Sequence, residues 1–239
     1  CVDFGCNDVD GDGVPDHCQS PTGDGVLHVP GEYNTIQEAI VDAGYGDTVL
    51  VGPGTWTVSG DDTAVIATGS KPITIRSSHG AAQTILDGEA TFGVVNCVGG
   101  ETAATIIEGF TITNGSSFHG AGVYAESSSP TVRHCNFVEN HSVSQGGAMY
   151  ILDGSPLIQD CSFKRNSTGF KSGGGIFTFL GDPTINGSTF CENQPNDIEG
   201  LFSSDVANEF LEDCPVICPA DINGDLVVDL ADFSELLIQ

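Results

Sequence analysis

The sequence predicts an all-β parallel solenoid, and three observations carry that prediction. Segments repeat at a nearly fixed step, each is cut into short apolar runs by Gly, Ser, Pro or Asn, and Gly supplies 32 of 239 residues. One repeat runs from Gly120 through Tyr124 to Pro130, Cys135, Phe137 and Asn140. The next runs from Gly146 through Tyr150 to Pro156, Cys161, Phe163 and Asn166, and the third from Gly173 through Phe177 to Pro183, Ser188, Phe190 and Asn193. Prolines, phenylalanines and asparagines all step by 26 and then 27 residues.

Each repeat has room for about three strands of a few residues, which makes one coil. Such a unit cannot bury its apolar side chains alone. Coils stacked ~4.8 Å apart pair every strand with its equivalents above and below and close a dry core. Val132, Ile158 and Ile185 then stack, as do Phe137, Phe163 and Phe190, while Cys135 sits over Cys161 and gives way to Ser188. The cysteine pair reads as a buried ladder rather than a redox couple. Two weaker coils lie around residues 72–76 and 106–114, and Asn114 keeps a 26-residue step to Asn140. Ahead of them, Asn34 to Gln37 reads as a capping box, Glu38 to Ala43 as an amphipathic helix ended by Gly44, and Asp47 to Val51 as a strand.

Composition narrows the function. With 33 acidic and 6 basic side chains the formal charge is −27. No basic surface is available to displace counterions from phosphates, so nucleic acid is excluded as a partner. No apolar run approaches the ~20 residues of a membrane span. Nine cysteines in a chain that starts at Cys1 point to an exported, mature product, extracellular or at the cell surface. Nine is odd, which leaves a thiol free or paired with another molecule, with Cys1 the first candidate. Cys1 also fits the lipid-bearing cysteine of a bacterial lipoprotein.

Asn34-Thr-Ile-Gln-Glu-Ala-Ile40, Gly46-Asp-Thr-Val-Leu-Val-Gly-Pro-Gly-Thr-Trp56 and Ile107-Glu-Gly-Phe-Thr-Ile-Thr-Asn114 together resemble the pectate-lyase-like right-handed parallel β-helix proteins. The Ser-Pro-x-Ile-x-x-Cys-x-Phe coils are similar to those of secreted bacterial β-helix repeat proteins. The resemblance covers about residues 26–193 and implies that the helix at Thr35 to Ala43 caps the N-terminal mouth of the solenoid.

Two acidic segments flank the repeats. Asp8, Asp10, Asp12 and Asp16, with Gly13 at the sixth position, place oxygen ligands at alternating positions of a tight turn, as the first half of an EF-hand-type loop does. Cys6 and Cys18 bracket this loop, which resembles a thrombospondin type 3 calcium repeat; Gln19 replaces the carboxylate of the twelfth position. Near the other end, Asp221, Asn223, Asp225, Asp229 and Asp232 occupy ligand positions one, three, five, nine and twelve, and Phe233 to Ile238 continues as a helix. This segment resembles one half of a type I dockerin, with Leu226 in place of the usual Gly. Calcium is the expected cofactor at both. Cys214 and Cys218 read as a stapled linker, and Cys191 to Cys214 is a second candidate bridge. The expected organisation is a calcium-loop segment over 1–25, the β-helix over 26–213 and a calcium loop with helix over 214–239.

Catalysis is not favoured. Lys71, Arg76, Arg133, Lys164, Arg165 and Lys171 are the whole cation supply, and none sits in a lyase or glycosidase pattern. A strongly anionic surface also repels polyanionic substrates. Tyr124, Tyr150 and Phe177 stack and read as core; an outward stripe would instead favour a carbohydrate-binding adhesin. Asn114, Asn140, Asn166 and Asn186 open Asn-x-Ser/Thr tripeptides, so the asparagine row is either an inward amide ladder or a row of glycans. The expectation is an extracellular, non-catalytic structural β-helix that self-associates head to tail, or binds a surface protein, through calcium-binding ends. A polysaccharide-binding adhesin and a polysaccharide lyase or hydrolase are the alternatives.

Overall fold

A computed structural model describes residues 24–170 and 172–214, and within them the chain winds as a parallel solenoid. Three faces are formed by sheets of seven, seven and six strands, and a fourth sheet of three short strands fills one corner. All strand pairs are parallel, and equivalent residues of successive coils stand directly over one another: Val132 between Ile107 and Ile158, and Phe137 between Ile112 and Phe163. The expected three strands per coil become four where Ser116–His119, His141–Gln145 and Ser167–Thr168 pair. Four strands precede Thr131–Arg133 in the first sheet, namely Val26–Val29, Thr48–Val51, Thr74–Ser77 and Ile106–Glu108, so the solenoid starts earlier than the two weak coils of the repeat pattern indicate.

The interior is built from ladders. Ile107, Val132, Ile158 and Ile185 are fully buried in one column, and Phe137, Phe163 and Phe190 in another. The three rings stack at 4.7 Å with planes 3° apart. Cys135 and Cys161 are buried free thiols, and Ser188 takes the next rung, its hydroxyl accepting from the Cys161 backbone N–H. Burial pushes the Cys135 thiol up to about 12, as expected of a structural rather than a reactive cysteine.

Coils close because single residues turn left-handed at each corner. His134 and Asp160 adopt φ of 53° and 51° at one corner, where neighbouring coils use Gly109 and Gly187. Glu139, Arg165 and Glu192 do so at the next, and Ser127, Asp153 and Leu180 at the third. Entry to the third sheet demands glycine. Gly120, Gly146 and Gly173 have φ of 54°, 64° and 55°, and a Cβ on them would meet the carbonyl oxygen three residues on at 2.5, 2.3 and 2.4 Å.

Just inside the second corner runs an asparagine ladder. The Asn140 amide nitrogen donates to Asn166 Oδ1 and to the Ile112 carbonyl, both at 2.9 Å, and the Asn166 amide repeats this with Asn193 and Phe137. Each carbonyl oxygen also accepts a backbone N–H from the preceding coil: Gly115 to Asn140, Asn140 to Asn166, Asn166 to Asn193. Every side-chain donor and acceptor is therefore satisfied, which neither Asp nor Leu could reproduce. Asn114 does not belong to this ladder despite its 26-residue step. Thr113 pairs with Val138, so Asn114 falls at the left-handed corner position of Glu139, and Gly115 takes the ladder place. This coil is one residue shorter, and spacing alone hides the slip.

The helix Ile36–Asp42 covers the N-terminal mouth with Ile36, Ala39 and Ile40, none more than 2% exposed. Its capping box is Thr35 with Glu38, one residue later than the expected pair, because Thr35 presents the hydroxyl to the Glu38 N–H while Glu38 bonds back to Thr35. The helix ends through Ala43 rather than at Gly44. Lys71 caps it instead: the ammonium donates to the carbonyls of Ile40, Val41 and Ala43 at 2.8, 2.5 and 2.9 Å.

Glu101 ties three coils together. Its carboxylate accepts from the hydroxyls of Thr68 and Ser128 at 2.5 and 2.6 Å and from the backbone N–H of Ser70 and Gly99. Burial alone would raise its pKa, but the bonds from Ser128, Thr68 and Gly99 outweigh it and hold the group below its ordinary 4.5. A carboxylate depressed on folding stabilises the fold above its unfolded pKa, and that stabilisation is lost as pH falls through the folded value. Glu101→Gln should therefore lower the melting temperature at pH 7 and narrow the gap between melts at pH 7 and pH 3. An unchanged gap would show that Glu101 contributes nothing to acid sensitivity.

Asn166→Ala should cost about 2–4 kcal/mol in a denaturant titration, because it orphans buried groups of two coils at once. A loss under about 0.5 kcal/mol, the size of an ordinary surface change, would contradict the ladder's role.

Candidate functional site

The nine proposed calcium ligands, Asp8, Asp10, Asp12, Asp16, Asp221, Asn223, Asp225, Asp229 and Asp232, lie outside the described residues. Among the described residues no group of three or more His, Cys, Asp or Glu side chains is placed to hold a metal. The four glycosylation candidates do not form one row. Asn140 and Asn166 are fully buried with their amides committed to the ladder, so the folded chain has no room for a glycan on either. Asn114 is half-buried and donates to Asp87, and Asn186 accepts from the backbone N–H groups of Asp205 and Val206.

Most described cations hold coils together. Arg133 pairs with Glu108 of the preceding coil at 2.8 Å, and Arg76 stands in register one rung further on. Arg165 lies between Glu139 at 2.9 Å and Glu192 at 3.8 Å, which alternates the charges up the corner where like charges would repel. Lys71 is occupied by the helix end. Lys171 lies outside the described residues.

The outer face of the third sheet carries the aromatic stripe. Val123, Ala125, Met149, Ile151 and Ile176 point inward and are fully buried, so Tyr124, Tyr150 and Phe177, alternating with them, point outward rather than into the expected core. The rings stack at 5.7 and 5.4 Å with planes 12° and 10° apart. Their faces cover one another, which keeps Tyr150 and Phe177 at 7% and 9% exposure and leaves edges and hydroxyls outermost. His119 closes over Tyr150, with centroids 4.5 Å apart, and burial lowers its pKa. Burial raises the Tyr124 hydroxyl to about 12, helped by its hydrogen bond to Glu126 at 2.9 Å. Exposed Phe118, Phe179 and Leu180 border the stripe. Alternation within the strand Val123–Glu126 carries this signal in the sequence, but the small Ala125 between two larger neighbours masks which side is the core.

A depression of about 650 Å³ lies elsewhere, beside the capping helix, and is lined by Tyr33, Gln37, Glu38, Asp42, Ser59 and Asp62. Its carboxylates disfavour an acidic glycan.

These features define a parallel β-solenoid in which the asparagine ladder, Glu101, Arg133 and Arg165 are engaged between coils. Residues 71–223 match the family described as right handed beta helix region, and the chain belongs to that family. No curated protein and no solved structure matches the chain. The Cys191–Cys214 bridge anticipated from the sequence is formed, and Cys97 joins Cys135 and Cys161 as a buried free thiol. Among the described residues no helix is long and apolar enough to cross a membrane.

Alkylation should distinguish the thiols. Cys97, Cys135 and Cys161 are expected to resist a maleimide under native conditions and to react on unfolding, read by mass spectrometry; rapid native labelling would contradict their burial.

Proposed function

We propose that this protein is an exported, non-catalytic structural β-helix whose calcium-binding ends tie it to further copies of itself or to a surface-protein partner. The observation that carries the reading is the use of charge: Arg133, Arg165 and Lys71, half of the chain's cations, are bonded within the solenoid rather than gathered at a cleft. A lyase-type site needs a basic group free to take a proton from an acidic sugar. Calcium held by Asp8 to Asp16 and by Asp221 to Asp232 would offset part of the −27 charge that otherwise keeps copies apart. Unlike ends that meet head to tail do not close on themselves, so a filament is the product.

Electron microscopy and light scattering of the full chain, with calcium and with a chelator under native redox conditions, test this. Filaments or longer species that dissolve in chelator are expected. Monomers alone in calcium would sink the proposal.

A polysaccharide-binding role is the second reading, favoured by the outward Tyr124, Tyr150 and Phe177 stripe with exposed Phe118 and Phe179 beside it. Affinity electrophoresis through gels containing neutral polysaccharides should show retardation that Phe118→Ala with Phe179→Ala abolishes. Unretarded wild-type protein would remove this reading.

A further inference from the structure

The coils that carry a fourth strand leave an apolar face open to solvent. Ser142 of His141–Gln145 is fully buried, and Val143 beside it is 49% exposed. Ser117 pairs with Ser142 from the preceding coil, and Phe118 next to it is 62% exposed. In the following coil Thr168 pairs with Ser142, Gly169 abuts the Val143 carbonyl so closely that a Cβ would lie 2.5 Å from it, and Phe170 is 62% exposed. Successive coils thus set one large apolar side chain each on a common outer strip. Past Gly120, Gly146 and Gly173 this strip runs into the outward ring edges of Tyr124, Tyr150 and Phe177 on the third sheet.

Charge sets this face apart. None of the chain's 33 acidic residues falls in 109–125, 140–152 or 161–181, the three stretches that build it. Glu139 and Glu192 stand at the corner on one side of it, and Glu126 and Asp153 border it on the other. A cationic partner therefore finds carboxylates around this face but not on it. Ser116–His119, His141–Gln145 and 167–170 offer a single amide, Gln145, and no carboxylate or guanidinium to grip paired sugar hydroxyls. A second copy of the chain fits better than either. It brings the same uncharged strip, and a two-fold contact sets apolar side chains against apolar side chains while both sets of carboxylates stay at the rim. Contact through the acidic remainder of the surface would instead oppose like charges.

We propose that this face docks a second copy side by side, with Phe118, Val143 and Phe170 of each chain packed across a two-fold axis. Three coils at ~4.8 Å and about eight residues of strip at ~3.3 Å give an area on the order of 400 Å² per copy. That is about half of what a stable complex buries on each partner, so the pairing is weak between free chains. Rods already joined end to end would repeat the contact at every subunit and hold firmly. The pairing itself does not depend on the calcium-binding ends; only this strengthening rests on the filament reading.

Sedimentation velocity of the full chain in chelator, from about 10 μM to about 1 mM, tests this for the wild type, for Phe118→Ser with Phe170→Ser, and for Val143→Glu. The wild type should pass from monomer to dimer with a dissociation constant of about 100 μM, and raising salt from about 50 to about 500 mM should tighten it by screening the remaining repulsion. Each variant should weaken the dimer at least about tenfold while melting within about 2 °C of the wild type, as exposed substitutions do. The variants alter different residues, so a folding defect in one leaves the other to decide. Monomers at every concentration in chelator, with filaments in calcium, would overturn the pairing and leave the calcium-end reading standing. A dimer that neither variant weakens, or one that salt dissociates, would place the contact on another face and overturn the proposal. Monomers that neutral polysaccharide gels retard through Phe118 would give the strip to a glycan and overturn it as well.

Discussion

In-register stacking of coils is the constraint on which the rest of the structure depends. Once each strand pairs with its equivalents above and below, every side chain meets its own kind about one strand spacing away. Identical neighbours at that distance help when they are flat or amide-bearing and harm when they are charged. The consequences run through the molecule: phenylalanines stack face to face, asparagine amides bond from coil to coil, and Arg165 alternates with Glu139 and Glu192.

The same constraint limits where function can reside. Inward positions hold mostly columns of Ile, Val and Phe, and the unpartnered hydroxyls of Ser142 and Thr178 are enclosed out of reach of a ligand. Corner positions carry charge, but in pairs that bind coil to coil. What remains is the outer surface of the third sheet and the two ends. On the outer surface the aromatic rings present edges rather than faces, because their faces are already stacked. At the ends the periodic pairing stops, and a solenoid must be closed by something that is not another coil. The helix Ile36–Asp42 does this at one end, and the exposed Phe210 is the last ring of the phenylalanine column at the other.

Acidic composition has a structural counterpart as well. Glu101 remains ionised despite burial because two hydroxyls and two backbone N–H groups converge on it. Lys71 performs the opposite task, neutralising the carbonyl end of the capping helix. Lys71, Arg133 and Arg165, half of the chain's few cations, stand where a partial or full negative charge would otherwise be left buried or stacked on its like.

The sequence by itself determined the coil. A 26- to 27-residue step, the Gly that opens each third-sheet strand, and the Phe and Asn columns are local and periodic, and periodicity of side chains is what stacking selects. It also indicated the capping helix and the Cys191–Cys214 bridge. Only the tertiary structure decided register and facing. Asn114 and Asn140 are equally spaced with the other asparagines, yet one sits at a left-handed corner and the other in the ladder, because the coil between them is shortened by one residue. Whether the Tyr124, Tyr150 and Phe177 stripe faces in or out likewise depends on strand alternation relative to a core assembled from distant coils. The sequence shows which residues repeat; which side of the wall they occupy is fixed only when the wall closes around them.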